Sequence, residues 1–122
     1  IRPRRGSGFG NRIGGGTPPV LTEKGWLMLY HGVEDKGKVG IYQTYWAMLD
    51  KAEPWRILQN DDSRPVLEAM DSLTETMKDK IYLKDVVFTT GITEHNDYFI
   101  VASGELDLAC RISLIPKKIF GL

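Results

Sequence analysis

The chain has 122 residues, 16 Lys+Arg against 16 Asp+Glu, 42% hydrophobic and 26% charged residues. A chain of this length buries only about two-thirds of the surface its unfolded form exposes, which leaves room for one modest core and excludes a multidomain enzyme. No run reaches the roughly 18 consecutive apolar residues of a membrane helix, and a formal net charge of zero supplies no overall pull toward nucleic acid or anionic lipid.

The chain opens on Ile1 rather than Met, which leaves both a longer parent upstream and an independent protein open. Residues 1–19 carry Arg2, Arg4, Arg5 and Arg12 among glycines and end in Pro18-Pro19. Glycine loses the most backbone freedom on ordering and proline donates no ladder bond, so this arm is expected to be irregular. Gly6-Ser7-Gly8-Phe9-Gly10 and Gly14-Gly15-Gly16 resemble phosphate loops only superficially, since no strand precedes them and no Gly-Lys-Ser/Thr follows.

Residues 20–122 read as one domain of short strands. The runs at 26–31, 39–49, 86–90, 98–103 and 108–115 are rich in Val, Ile, Tyr, Phe and Trp and stop at Gly, Asp or Pro. Their length, composition and flanking glycines argue for strand over helix. Between Arg64 and Lys84, Ser72-x-x-Glu75 imitates a capping box and Leu73, Met77 and Ile81 recur at helical spacing. That stretch predicts one or two helical turns inside a long connection. Aligning Gly32 with Gly104 pairs Trp26 with Tyr98, Leu27 with Phe99, Met28 with Ile100 and Leu29 with Val101. Two copies of an antiparallel β-meander are implied, about 20–66 and 85–115, compatible with propeller blades or with a two-sheet sandwich. Trp26, Trp46, Tyr98 and Phe99 are expected to carry the core between them.

One cysteine, Cys110, excludes an internal disulfide and a thiolate-rich metal site, and His31 and His95 leave little for zinc, so no metal is expected; no cofactor is assigned either. Arg12, His31, Asp85 and Asp107 all fall at strand edges beside turns. Taken singly each has a plainer reading, as a strand-end histidine or as solvated turn charges. Converging on one face, a cation, an imidazole and carboxylates would suit an oxyanion together with sugar hydroxyls.

At these same residues a family becomes recognisable. The run Arg12-Ile13-Gly14-Gly15-Gly16-Thr17-Pro18-Pro19, followed by GWLMLYHGV at 25–33, resembles the K-I-G-x-G-x-x-P and GWL-x-x-YHGV pattern of glycoside hydrolase family 130. YWAMLD at 45–50, RPVLEA at 64–69, DVVFTTG at 85–91 and YFIVASGELDLACRI at 98–112 follow in the family's order. The resemblance implies an all-β fold in which the antiparallel meanders form about two blades of a five-bladed β-propeller. It implies a role in inverting phosphorolysis or hydrolysis of β-mannosides, with inorganic phosphate as co-substrate. It puts phosphate contacts at Arg12 and His31 and sugar contacts at Asp85 and Asp107. Asp85 stands where the family has asparagine. No catalytic residue is assigned, because the family's general-acid aspartate belongs to upstream sequence. Expected partners are therefore a β-mannoside, phosphate, and either the missing blades of a parent chain or further copies of this one. A noncatalytic sugar-binding or self-assembling module is the alternative, and an RNA-tracking arginine arm is a third reading that the neutral net charge disfavours.

Overall fold

A computed structural model describes residues 1–3, 5, 7–10, 12–80, 83 and 85–122. Arg4 and Gly6 of the arm, and Ile81 of the helical pattern, lie outside the described residues. The strands are β1 (Arg12–Gly15), β2 (Val20–Leu21), β3 (Trp26–Glu34), β4 (Ile41–Leu49), β5 (Ile57–Asp61), β6 (Val87–His95), β7 (Tyr98–Glu105) and β8 (Ala109–Pro116). One turn of α-helix, α1 (Asp71–Thr74), continues as a 3-10 stretch over Glu75–Lys80, as the spacing predicts. The capping box does not form, because Met70 occupies the cap position and no side chain bonds there.

Two antiparallel meanders result. In the first sheet β1 and β2 both pair with β3, which pairs with β4 and then β5; in the second, β6, β7 and β8 follow in order. The second half of the arm is therefore not irregular: Arg12–Gly15 pairs with Tyr30–Val33 of β3. Glycine carries no side-chain pattern to announce a strand, and it is the neighbouring edge of β3 that orders it.

Side chains alternate across a strand, and directly opposed residues share a face. Leu27 and Leu29 on β3 thus lie beside Met48 and Trp46 on β4. Together they pack on Phe99 and Val101 of β7 and Ile115 of β8, forming one core between the sheets. Phe120 closes that core from the C-terminal 3-10 turn, edge-on to Trp46 at 5.4 Å and to Phe99 at 5.6 Å. The same alternation turns two expected core residues away. Trp26 is opposed to Leu49 on the other face, where its indole N–H donates to the Lys51 carbonyl, and Tyr98 is 43% exposed.

On the far face of the first sheet Phe9 joins Tyr30, Tyr45 and Ala47 in a second cluster. Phe9 lies directly over Gly32, where an added methyl would fall 2.8 Å from Phe9 Cβ and overlap its ring. Burial pushes the Tyr45 hydroxyl up to about 12, with neighbouring Tyr30 and the carboxylates of Glu68, Glu34 and Asp62 adding to it. Among the described residues the outer face of the second sheet has no such cover, and Ile112 and Leu114 are 66% and 62% exposed.

The long connection is used as structure. Thr44 N–H donates to the Leu67 carbonyl at 2.9 Å and Val66 N–H to the Thr44 carbonyl at 2.7 Å, so residues 66–67 continue the edge of β4 beyond β5. Tyr42 N–H donates to the Asp85 carbonyl at 3.0 Å, which joins the start of β4 to the start of β6.

Candidate functional site

The strand directions bring one end of both sheets together: the start of β1, the end of β3, the starts of β4 and β6, and the turn between β7 and β8. All four candidate residues stand at that end. Arg12 opposes Val33 and Gly14 opposes His31, so Arg12 and His31 share one face of the first sheet. At strand spacing their backbones are about 7 Å apart along the sheet.

His31 is half-buried between aromatic rings, 4.5 Å from Phe88 and 5.5 Å from Tyr42 by ring centroids. The Cε1–Nε2 edge of its ring faces Gly14, where an added methyl would stand 2.5 Å from Nε2. Close approach without a Cβ is what this position requires, and it accounts for the glycine. Burial lowers the His31 pKa from 6.5, with a hydrogen bond to the Gly15 backbone opposing the shift. Nδ1 is shielded from solvent and has no protein partner among the described residues. A polar atom in that state is an opening for a ligand or an ordered water.

Arg12 is turned differently. Its Nη2 donates to Asp35 Oδ1 at 3.2 Å and to the Val39 carbonyl at 3.0 Å. The side chain is half exposed, so the ion pair is a weak clip on the β3–β4 loop. That loop and Asp85 line an open cavity of about 360 Å³, and Asp85 also borders a second depression of about 310 Å³ with Glu34, Gln43 and Glu68. Asp85 and Asp107 are exposed. Their backbones are linked, because Leu106 N–H donates to the Val86 carbonyl at 3.0 Å. The fold thus gathers the four positions at one end, while no polar contact joins their side chains to one another among the described residues.

A 400 Å³ groove elsewhere, between Trp46, Val66 and Ile115, is bordered mainly by apolar edges and two prolines. Chemistry is better placed at the His31 end.

Beside His31 the space between the sheets turns polar, which the sequence reading missed. Thr44, Thr89, Ser103, Glu105 and Arg111 are all buried. Thr89, Ser103 and Arg111 form one row across β6, β7 and β8. Arg111 Nη1 lies 2.9 Å from Glu105 Oε1, a close ion pair off the line of a directed hydrogen bond. A signal existed: Ser103 and Glu105 continue the inward parity of Phe99 and Val101, which marks a charge in a core position.

A family model described as beta-1,4-mannooligosaccharide phosphorylase matches residues 5–122. A beta-1,2-mannobiose phosphorylase of Thermoanaerobacter sp. (strain X514) is 29% identical over 119 residues, covering 97% of this chain and 36% of that protein. Another of the same name from Listeria innocua serovar 6a is 33% identical over 107 residues, covering 88% of this chain and 27% of its own length. The chain thus spans about a third of the length of the curated relatives it matches. Among solved structures, the Listeria innocua beta-1,2-mannobiose phosphorylase in complex with beta-1,2-mannobiose superposes with a TM-score of 0.76 at 29% identity, over 95% of this chain and 31% of that one. A family-130 structure described as targeting beta-1,2 mannosidic linkages in Candida mannan superposes with a TM-score of 0.73 at 24% identity, over 95% of this chain and 33% of that one, a likeness of fold.

Proposed function

The chain belongs to glycoside hydrolase family 130, and from that premise we propose that it builds the phosphate-side and part of the mannosyl-side wall of a β-mannoside phosphorylase site. His31 carries the reading: a half-buried imidazole, seated on Gly14, with an unpartnered, solvent-shielded Nδ1. A phosphate oxygen at that nitrogen would favour the protonated ring and gain a charge-assisted hydrogen bond. Arg12, near along β1, would add a fixed charge once its guanidinium leaves Asp35, and its planar fork suits phosphate. Asp107, an exposed carboxylate on a short turn, would accept hydroxyl hydrogens from the mannosyl ring. Asp85 would line the same wall with an anionic group in place of a neutral amide.

In the reaction, a phosphate oxygen bonds to the anomeric carbon as the glycosidic bond breaks on the opposite side, and a carboxylic acid gives its proton to the departing oxygen. One displacement inverts the configuration, so a β-mannoside yields α-mannose 1-phosphate. No residue of this chain is assigned the acid. The test is product analysis on the intact protein carrying this sequence, with β-1,2-mannobiose as substrate. Mannose 1-phosphate formed only when phosphate is present is expected; free mannose released at equal rates with and without phosphate would overturn the proposal.

The uncovered outer face of the second sheet, with Ile112 and Leu114 exposed, favours a second reading. In it the chain is a noncatalytic sugar-binding module whose copies cover that face. Native mass separates the two, since a strict monomer that keeps its fold would count against self-association.

A further inference from the structure

Glu105 is fully buried and Arg111 is 8% exposed, and the chemistry above uses neither. Each reaches across to the connection that borders β4. Arg111 Nη2 donates to the Glu68 carbonyl at 2.9 Å, and Glu105 Oε2 accepts the Met70 N–H at 3.1 Å. Taking two charges out of water costs about as much as their attraction returns, and apolar side chains of like volume serve stability equally well. Stability alone does not account for the pair.

The turn beside it offers a reason. Glu105 ends β7, and the next two residues, Leu106 and Asp107, both take left-handed backbone, with φ of 53° and 57°. Aspartate visits this region routinely, but leucine does not, and at Leu106 the conformation persists only where the surroundings over-determine it. The turn is pinned by Leu106 N–H to the Val86 carbonyl at 3.0 Å, by Leu108 N–H to the Glu105 carbonyl at 2.9 Å, and by burial of the Leu106 side chain. Asp85, next to Val86, is left-handed as well, with φ of 53°. Among the described residues four non-glycine positions have positive φ, and three of them meet here; the other, Asn96, sits in the hairpin at the opposite end.

We infer that the Glu105–Arg111 pair is a positioning device that holds the Asp107 turn, and with it the Asp85–Val86 backbone, in this left-handed geometry. Its service to sugar binding rests on the proposed role of Asp107. The Glu105 carboxylate is gripped from two sides, by Arg111 on its own sheet and by Met70 N–H on the connection. With the Glu105 carboxylate held, the residue after it cannot relax into right-handed backbone without losing the Leu108 N–H bond to the Glu105 carbonyl.

The test removes both charges together, Glu105→Met with Arg111→Met, which leaves no unpaired buried ion. Melting, amide hydrogen exchange, and titrations with β-1,2-mannobiose and with inorganic phosphate are compared with the unaltered protein. The expected result is a retained melting temperature and unchanged exchange at Val101, with Leu106 and Leu108 amides exchanging about tenfold faster or more. Sugar affinity should fall by about tenfold while phosphate affinity stays. Unchanged exchange at Leu106 and Leu108 would overturn the inference, as would a loss of protection that extends to Val101 with the melting temperature. If the double variant does not fold, Arg111→Lys decides, since it keeps the charge but lacks the fork: selective acceleration at Leu106 supports the role and none refutes it. Selective acceleration in a protein that binds no sugar would leave the positioning role standing and remove the sugar role of Asp107.

Discussion

Replacing Gly14 by alanine probes the seat of His31. The added methyl would stand 2.5 Å from His31 Nε2, so the ring must move. Moving it breaks its tilted ring contacts with Phe88 at 4.5 Å and Tyr42 at 5.5 Å. Overpacking of this kind costs about 1–3 kcal/mol, and a disturbed aromatic pair adds about 0.5–1.5 kcal/mol. Alanine returns about 0.5–1 kcal/mol through reduced backbone freedom in the unfolded chain. The expected net loss is about 2 kcal/mol in denaturant unfolding. Gly15→Ala is the control, because a methyl there meets nothing within 4 Å and should be neutral or slightly stabilising. A second readout follows the imidazole: once unseated it is less buried, so its pKa, read by NMR, should climb back toward 6.5. A loss below about 0.5 kcal/mol together with an unchanged His31 titration would refute the packing account.

The core between the sheets gives a second prediction. Trp46 is 4% exposed and Phe120 fully buried, so Trp46→Ala and Phe120→Ala should each cost about 3–5 kcal/mol. A loss below about 1 kcal/mol for Trp46 would mean β4 is misplaced. A third concerns pH. The His31 pKa is lowered in the folded state, so as pH falls through 6.5 the unfolded chain takes up the proton first. The His31 contribution to stability is thus complete above pH 6.5 and is lost as pH falls toward the folded-state value. Unfolding midpoints of the protein minus those of His31→Gln, followed from pH 8 to pH 5, should decline over that window; a flat difference contradicts the burial of the ring.

Much of the fold is legible in the residues, for definable reasons. Runs such as WLMLYH and YFIVAS announce β3 and β7 because branched and aromatic side chains fit a pleated, half-buried surface, and their alternation puts Leu27, Leu29, Phe99 and Val101 inward. The strand β5 is silent, since ILQND is largely exposed and polar and is ordered only by pairing with β4. The strand β1 is silent for the glycines that let His31 lie on it. Of the site, the residue types and their place at strand ends could be read along the chain. That Arg12 is turned toward Asp35 and Val39 could not, because a loop well over twenty residues away supplies both acceptors. The Glu105–Arg111 pair hides among polar letters unless strand parity is counted through the turn.

Titration of His31 with and without inorganic phosphate, followed by NMR of the ring, tests the central claim most directly. The account predicts that phosphate raises the His31 pKa from its lowered value, and that Arg12→Ala weakens the phosphate affinity without changing the pKa measured in its absence. A His31 titration indifferent to saturating phosphate would contradict an anion site at this end of the sheets.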